Sequence, residues 1–121
     1  MNTISVPSQL SFITKPYTQT RLATINSTHD IKIALLEGPY IFHSHPDNDE
    51  AFYLVSGSLT IEILDHEEKV EEVKMQAGDL FVVPKGVRHR PIGKEARVMV
   101  IEKKGVLDGS GGLAQPIEDG K

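Results

Sequence analysis

FHSHPDNDEAFYLVSG, Phe42 to Gly57, is the stretch on which the reading of this chain turns. On a β-strand, side chains two apart share a face, so His43 and His45 aim both imidazoles at one point. Pro46 has no amide proton for a ladder and ends the pairing. Asp47, Asn48 and Asp49 are turn formers. Glu50 then opens the apolar run Ala51–Val55, which Gly57 closes. A strand over Tyr40–His45, a tight loop and a returning strand bring the Glu50 carboxylate beside the two imidazoles. Two imidazoles and a carboxylate on a rigid hairpin form a donor set for a divalent cation. The same parity puts Ile41 beneath the imidazoles as an apolar floor and sets Phe52 and Leu54 beside Glu50, where an unpaired carboxylate is costly. Tyr40 and Tyr53 fall on the opposite parity and read as outer packing.

A second stretch, Gly78 to His89, predicts a strand over Leu80–Val83, a turn at Pro84-Lys85-Gly86 and a further strand carrying His89. Laid beside the first hairpin, it completes a site of His43, His45, Glu50 and His89. Four protein ligands leave a hexacoordinate ion open to a small molecule. With His89 facing inward, its neighbours Arg88 and Arg90 face outward and, with Lys85, form a solvated basic group rather than an anion clamp. His29 and His66 sit in polar turns without a role. Asp47 and Asp49 serve Asx-type hydrogen bonds within their own loop.

These two stretches resemble the two motifs of the cupin superfamily. The first motif is a glycine, His-x-His, a glutamate and a glycine, here Gly38, His43, His45, Glu50 and Gly57, with Gly38 one residue closer to His43 than is usual. The second is a glycine, a proline, x-Gly, a histidine and an asparagine, here Gly78, Pro84, Gly86 and His89, with Gly93 in place of the asparagine. The resemblance implies an all-β, double-stranded β-helix or jelly-roll barrel over residues 21–104. It also implies a homodimer in which an N-terminal arm, residues 1–20, lies against the partner.

Composition narrows the chemistry. The 121 residues suffice for one domain. A net charge of −4 gives nucleic acid no electrostatic attraction. Without cysteine there are no disulfides or thiolate ligands, leaving histidine and carboxylate as the strong donors. The first residues show neither a basic nor an apolar leader segment. The longest apolar run, Ala51–Val55, is far too short to span a membrane. A cytoplasmic protein is expected.

Elsewhere the chain alternates. Leu22–Ile25 reads as a strand and Asn26–Asp30 as a turn. Ile31, Ile33 and Leu35 then alternate with Lys32, Ala34 and Leu36 until Gly38-Pro39 interrupts them. Leu59, Ile61 and Ile63 face inward, and Val70–Met75, Val87–Ile92 and Arg97–Ile101 complete eight or nine short strands with no helical stretch. Strands at this spacing argue a sandwich or barrel. Residues 105–121 hold five of the ten glycines and read as a flexible tail, or at most a lid.

The functional expectation is one divalent ion per chain, iron, manganese, nickel, copper or zinc, held in an apolar barrel that admits a small organic ligand. Family resemblance implies a metal-dependent enzyme, a dioxygenase or an isomerase, in which Glu50 is a ligand or, on dissociating, a base. The alternative is a metal-containing binding or sensing module without turnover. No second acid or base is evident on the inner face, which favours binding or oxygen chemistry over proton transfer.

Overall fold

Alternation of apolar and polar residues makes the strands, and two interruptions of that alternation decide how they wrap. The computed structural model describes residues 1–105 and the backbone of a short strand at 117–119. Its strands are β1 (Gln19–Ile25), β2 (His29–Pro39), β3 (Glu50–Leu64), β4 (Val70–Met75), β5 (Leu80–Val83), β6 (Arg88–Lys103) and β7 (Ile117–Asp119). They form one sheet in the order β4-β3-β6-β2-β1-β7, with β5 also paired to β3. All pairings are antiparallel except β1 with β7. The fold is the expected all-β cupin fold.

Fewer and longer strands form than the turn residues suggested. The segments on either side of Gly57 are one strand, β3, and those on either side of Lys94 and Glu95 are one strand, β6. The breaks are bulges: the β3–β6 register shifts between Leu54 and Ser56 and again between Ser56 and Ser58. Along β3 the buried positions are Glu50, Phe52 and Leu54, then Leu59 and Ile61. Along β6 they are His89, Pro91 and Gly93, then Ala96, Val98, Val100 and Glu102. Inward parity therefore switches in both strands at the same level, and the extra residues bend the ribbon. Gly57 makes this possible. Its φ is +81°, and a Cβ there would stand 2.1 Å from the Glu95 carbonyl oxygen.

Gly93 explains the departure from the second motif. A Cβ at this position would lie 2.2 Å from the carbonyl oxygen of Leu36, where β2 has its own register shift between Leu36 and Gly38. The backbones approach too closely for asparagine.

The inner face carries Ala34, Leu36, Phe52, Leu54, Leu59, Ile61, Met75, Val83, Ala96, Val98 and Val100. Of the two alternating sets in β2, the one containing Lys32, Ala34 and Leu36 faces inward. The β1–β2 turn is tighter than expected: Asn26 and Ser27 both have positive φ, Thr28 N–H donates to Ile25 O at 3.0 Å, and His29 and Asp30 already belong to β2. This is a type I′ hairpin turn.

Two other expectations are corrected. Tyr40–His45 makes no ladder; His43 forms an isolated bridge to β6, exchanging both backbone hydrogen bonds with His89 at 3.0 and 2.9 Å, and Tyr40 N–H donates to Pro91 O at 3.0 Å. Within the N-terminal arm, Val6–Leu10 forms a single helical turn, α1, capped by the Ser5 hydroxyl, which accepts from Ser8 N–H, with Pro7 in the first turn. Five residues are too few to show helical periodicity, so the only sequence signals were the cap and the proline. Leu10, 1% exposed, is buried where α1 packs on β2. The expected glycine-rich tail falls mostly on residues 106–116 and 120–121, which lie outside the described residues.

Gly93→Asn, which supplies the residue of the family pattern, is expected to destabilise the chain by roughly 2–4 kcal/mol. Gly86→Ala has a positive φ to contend with but open space around the new methyl, and should cost only about 1 kcal/mol. Urea denaturation midpoints at constant m-value check the order.

Candidate metal centre

Each of the four expected ligands is held by backbone. His43 and His89 exchange main-chain hydrogen bonds, so their Cα atoms are fixed face to face. Each imidazole donates Nδ1–H to the carbonyl two residues before it, His43 to Ile41 O and His89 to Val87 O, both at 2.9 Å. This leaves Nε2 of each ring as the coordinating nitrogen. Gly86 N–H donates to His45 O at 2.8 Å, and Lys85 N–H donates to Asp49 Oδ1 at 2.8 Å. Asp49 therefore ties its loop to the Pro84–Gly86 turn instead of closing its own loop. Glu50 begins β3, where pairing with β5 and β6 fixes it.

The result is a buried cluster in which one ligand atom from each of His43, His45, Glu50 and His89 lies within 4.8 Å of the others. Ligands about 2.0–2.2 Å from one ion stand at most about 4.4 Å apart, so small side-chain shifts close the set on a cation. His89 Nε2 is 2.9 Å and His45 Nε2 3.6 Å from Glu50 Oε1. Burial acts to raise the Glu50 pKa, but the His45 and His89 rings set against its carboxylate outweigh this and hold it well below the usual carboxylate value. Burial lowers the His43 pKa, assisted by the neighbouring His89 and His45 and opposed by the bond to Ile41 and by Glu50. An ionised carboxylate beside a neutral imidazole is the protonation state that metal binding requires.

Sequence reasoning missed two residues beside this cluster. Lys32 and Glu102 are each 1% exposed and form a buried ion pair, Nζ to Oε2 at 2.7 Å. Strand pairing sets Glu102 directly between Asp30 on β2 and Glu50 on β3, a row of three buried acids. Asp30 is met by the Thr24 hydroxyl at 2.8 Å and Arg21 Nη1 at 3.8 Å, Glu102 by Lys32, and Glu50 by imidazoles. Burial, then the Glu50 charge, push the Glu102 pKa up to about 7, with Lys32 pulling the other way. The expectation of no second acid on the inner face is thus wrong. A signal existed: Glu102 continues the parity of Val98 and Val100.

The remaining sequence expectations divide. Arg88 and Arg90 do face away from the site; Arg88 pairs with Glu68 at 3.9 Å, and Arg90 donates to Glu62 at 2.7 Å while lying over the Phe42 ring. Lys85, His29 and His66 are exposed. Ile41 is no floor, being 50% exposed. Tyr40 points inward instead of outward: it stacks on Tyr17 at 5.0 Å and meets His43 edge-on at 5.4 Å. Beyond the strand ladder the chain twists freely, so period-two parity fails there. Tyr17, Gln19, Ala34, Leu36, Phe52 and Val100 line a cavity of about 50 Å³ bounded by His43, His45, Glu50 and Glu102. That is room for a molecule of a few non-hydrogen atoms.

The family model described as Cupin domain matches residues 37–102, a span that contains all four expected ligands and Glu102. The solved structure of a cupin-2 domain containing protein from Shewanella frigidimarina NCIMB 400 superposes with a TM-score of 0.76 at 31% identity, over 84% of this chain and 94% of that one. The Bacillus subtilis (strain 168) protein YdbB is 39% identical over 62 residues, 51% of each chain. The 3-hydroxyanthranilate 3,4-dioxygenase of Mycosarcoma maydis is 24% identical over 86 residues, 69% of this chain and 47% of that protein. The chain thus spans about half the length of these curated relatives. No helix among the described residues is long and apolar enough to cross a membrane.

The two perturbed acids act oppositely on stability. Glu50 titrates lower folded than unfolded, so its contribution is full above about pH 4.5 and is lost as pH falls. Glu102 titrates higher folded, so its contribution declines as pH rises from 4.5 to about 7. Lys32→Met leaves Glu102 to hold its proton alone and is expected to destabilise the fold by about 3 kcal/mol at pH 8 and by less at pH 6. Lys32→Met/Glu102→Met should recover most of that loss. Urea denaturation of both variants at the two pH values measures it.

Proposed function

The chain belongs to the cupin domain family, and from that premise we propose that it is a metal-dependent enzyme acting on a small organic molecule, of the dioxygenase type. The observation that carries this reading is the buried three-imidazole, one-carboxylate cluster opening onto a small, mostly apolar cavity. His43, His45, Glu50 and His89 would hold one divalent ion. A redox-active ion in such a donor set supplies a site where dioxygen and an organic molecule meet, and a redox-inert one supplies an electrophile.

The chain's own residues do the rest. The Nδ1–H bonds of His43 and His89 fix the tautomer and ring angle. Ala34, Leu36, Phe52 and Val100 keep water from the cavity wall. Tyr17 donates its hydroxyl to Gly38 O and stacks on Tyr40, and both rings line the cavity. Burial, with Glu37 and Tyr40 nearby, pushes the Tyr17 pKa up to about 12, so the phenol keeps its proton.

Similarity to the Mycosarcoma maydis dioxygenase supports oxygen chemistry. An isomerase is the second reading, favoured by Glu102, an acid in the cavity wall able to exchange a proton near neutral pH.

Elemental analysis of the purified protein should find close to one divalent ion per chain. His45→Ala should lose the ion while keeping its β-sheet circular dichroism; an unfolded variant would make His45 structural instead. Ion occupancy should fall below about pH 6 as the imidazoles protonate, and full occupancy at pH 5 would contradict histidine ligation. Oxygen uptake by the iron-loaded protein, tested over small hydroxylated organic acids and phenols, separates the dioxygenase from the isomerase reading.

A further inference from the structure

One buried acid in the cavity wall takes no part in the four-residue cluster. Glu102 spends only one of its oxygens: Oε2 accepts from Lys32 Nζ at 2.7 Å. Its other oxygen, Oε1, is buried and accepts no hydrogen bond from any described residue, and Glu102 is one of the residues that line the cavity. Desolvating an acceptor without giving it a donor is costly, and such a site rejects whatever cannot satisfy it. Lys32, itself buried, stops the carboxylate from turning to solve the problem elsewhere. Oε1 lies 4.0 Å from His45 Nε2, so one small molecule can touch both the cluster and Glu102. Gln19 adds a second acceptor without a hydrogen bond, Oε1, to the same wall. The rest of the wall is apolar or aromatic.

We propose that Glu102 is a specificity-determining residue: its Oε1 accepts a hydrogen bond from a hydroxyl or amine of the small molecule held at the metal centre, while Lys32 fixes the carboxylate from its other oxygen. This rests on the metal-centre reading and adds to it the ligand class. The ligand carries a donor group next to the atom that meets the ion, on an otherwise compact body. A purely acceptor-bearing ligand would leave Glu102 Oε1 without a donor and is a poor fit.

The test uses the full chain loaded with Co(II) at about pH 8, where Glu102 is ionised and Oε1 is an acceptor, titrated with glycolate and with methoxyacetate and read by visible absorption. The two acids differ in a methyl group that removes the donor O–H. The wild-type chain should bind glycolate about tenfold tighter than methoxyacetate. In Glu102→Gln, Lys32 takes the amide oxygen and turns the NH₂ toward the cavity, replacing the acceptor with a donor. The preference for glycolate should then disappear while Co(II) affinity stays within about threefold of wild type. The methyl group's bulk is common to both proteins, so the change in the ratio isolates the hydrogen bond. Glu102→Asp, which keeps the charge and withdraws the acceptor by one methylene, should also lower the ratio and makes the same comparison if the Gln variant does not fold. Equal affinity of the two acids for the wild-type chain overturns the assignment without any variant. A large loss of Co(II) affinity in Glu102→Gln overturns it too, by making Glu102 a metal ligand. A wild-type chain that takes up no Co(II) overturns the metal centre itself, and this assignment with it.

Discussion

The shared switch of parity in β3 and β6 is the constraint on which this structure depends. His89 and Glu102 are thirteen residues apart on one strand, an odd interval, so on a regular ribbon they would point to opposite faces. Glu50 and Ile61, eleven apart, have the same problem on β3. A bulge in either strand alone would break the ladder between them. Bulging both at one level, with Gly57 lying against the Glu95 carbonyl, turns both halves inward together. One half then delivers Leu59, Ile61 and His89, and the other delivers Glu50 and Glu102 with Phe52 and Val100. The site is assembled by this corner as much as by its ligands.

What the corner assembles is electrostatically lopsided. Asp30, Glu102 and Glu50 stand side by side on three neighbouring strands, all out of water. Arg21 and Lys32 answer the first two. Glu50 has only imidazoles, and an ionised carboxylate facing three histidine rings completes its balance best with a cation held among them. The pKa directions follow the same division: burial pushes both acids up, the imidazoles outweigh it at Glu50, which titrates low, and at Glu102 the neighbouring carboxylate adds to it against one ammonium, so that acid titrates high.

Much of this was legible in the residue order because it is local. The His-x-His spacing, the proline stops and the Pro84–Gly86 turn place His43, His45, Glu50 and His89 by short-range rules, and the structure brings those four together. The outward aim of Arg88 and Arg90 follows from His89 by parity alone. The readings that failed depend on the rest of the molecule. Ile41 and Tyr40 lie beside a single bridge and not in a ladder, so parity did not govern them. Gly57 looked like a stop because only its partner strand shows it to be a bulge. Glu102 sits just before Lys103 and Lys104, where the composition turns polar; its burial depends on Lys32, seventy residues earlier. Likewise Gly93 in place of asparagine is explained only by the β2 carbonyl that crosses it.

The anchoring of His43 and His89 through carbonyl groups has an evolutionary reach. The acceptors that set ring angle and tautomer are main-chain atoms of Ile41 and Val87, so no particular side chain at 41 or 87 is needed to supply them. Residues around the four-residue cluster can drift while the rings keep their aim, provided the chain path is preserved. A scaffold of this sort can alter its cavity wall without first having to reinvent the means of aiming its imidazoles.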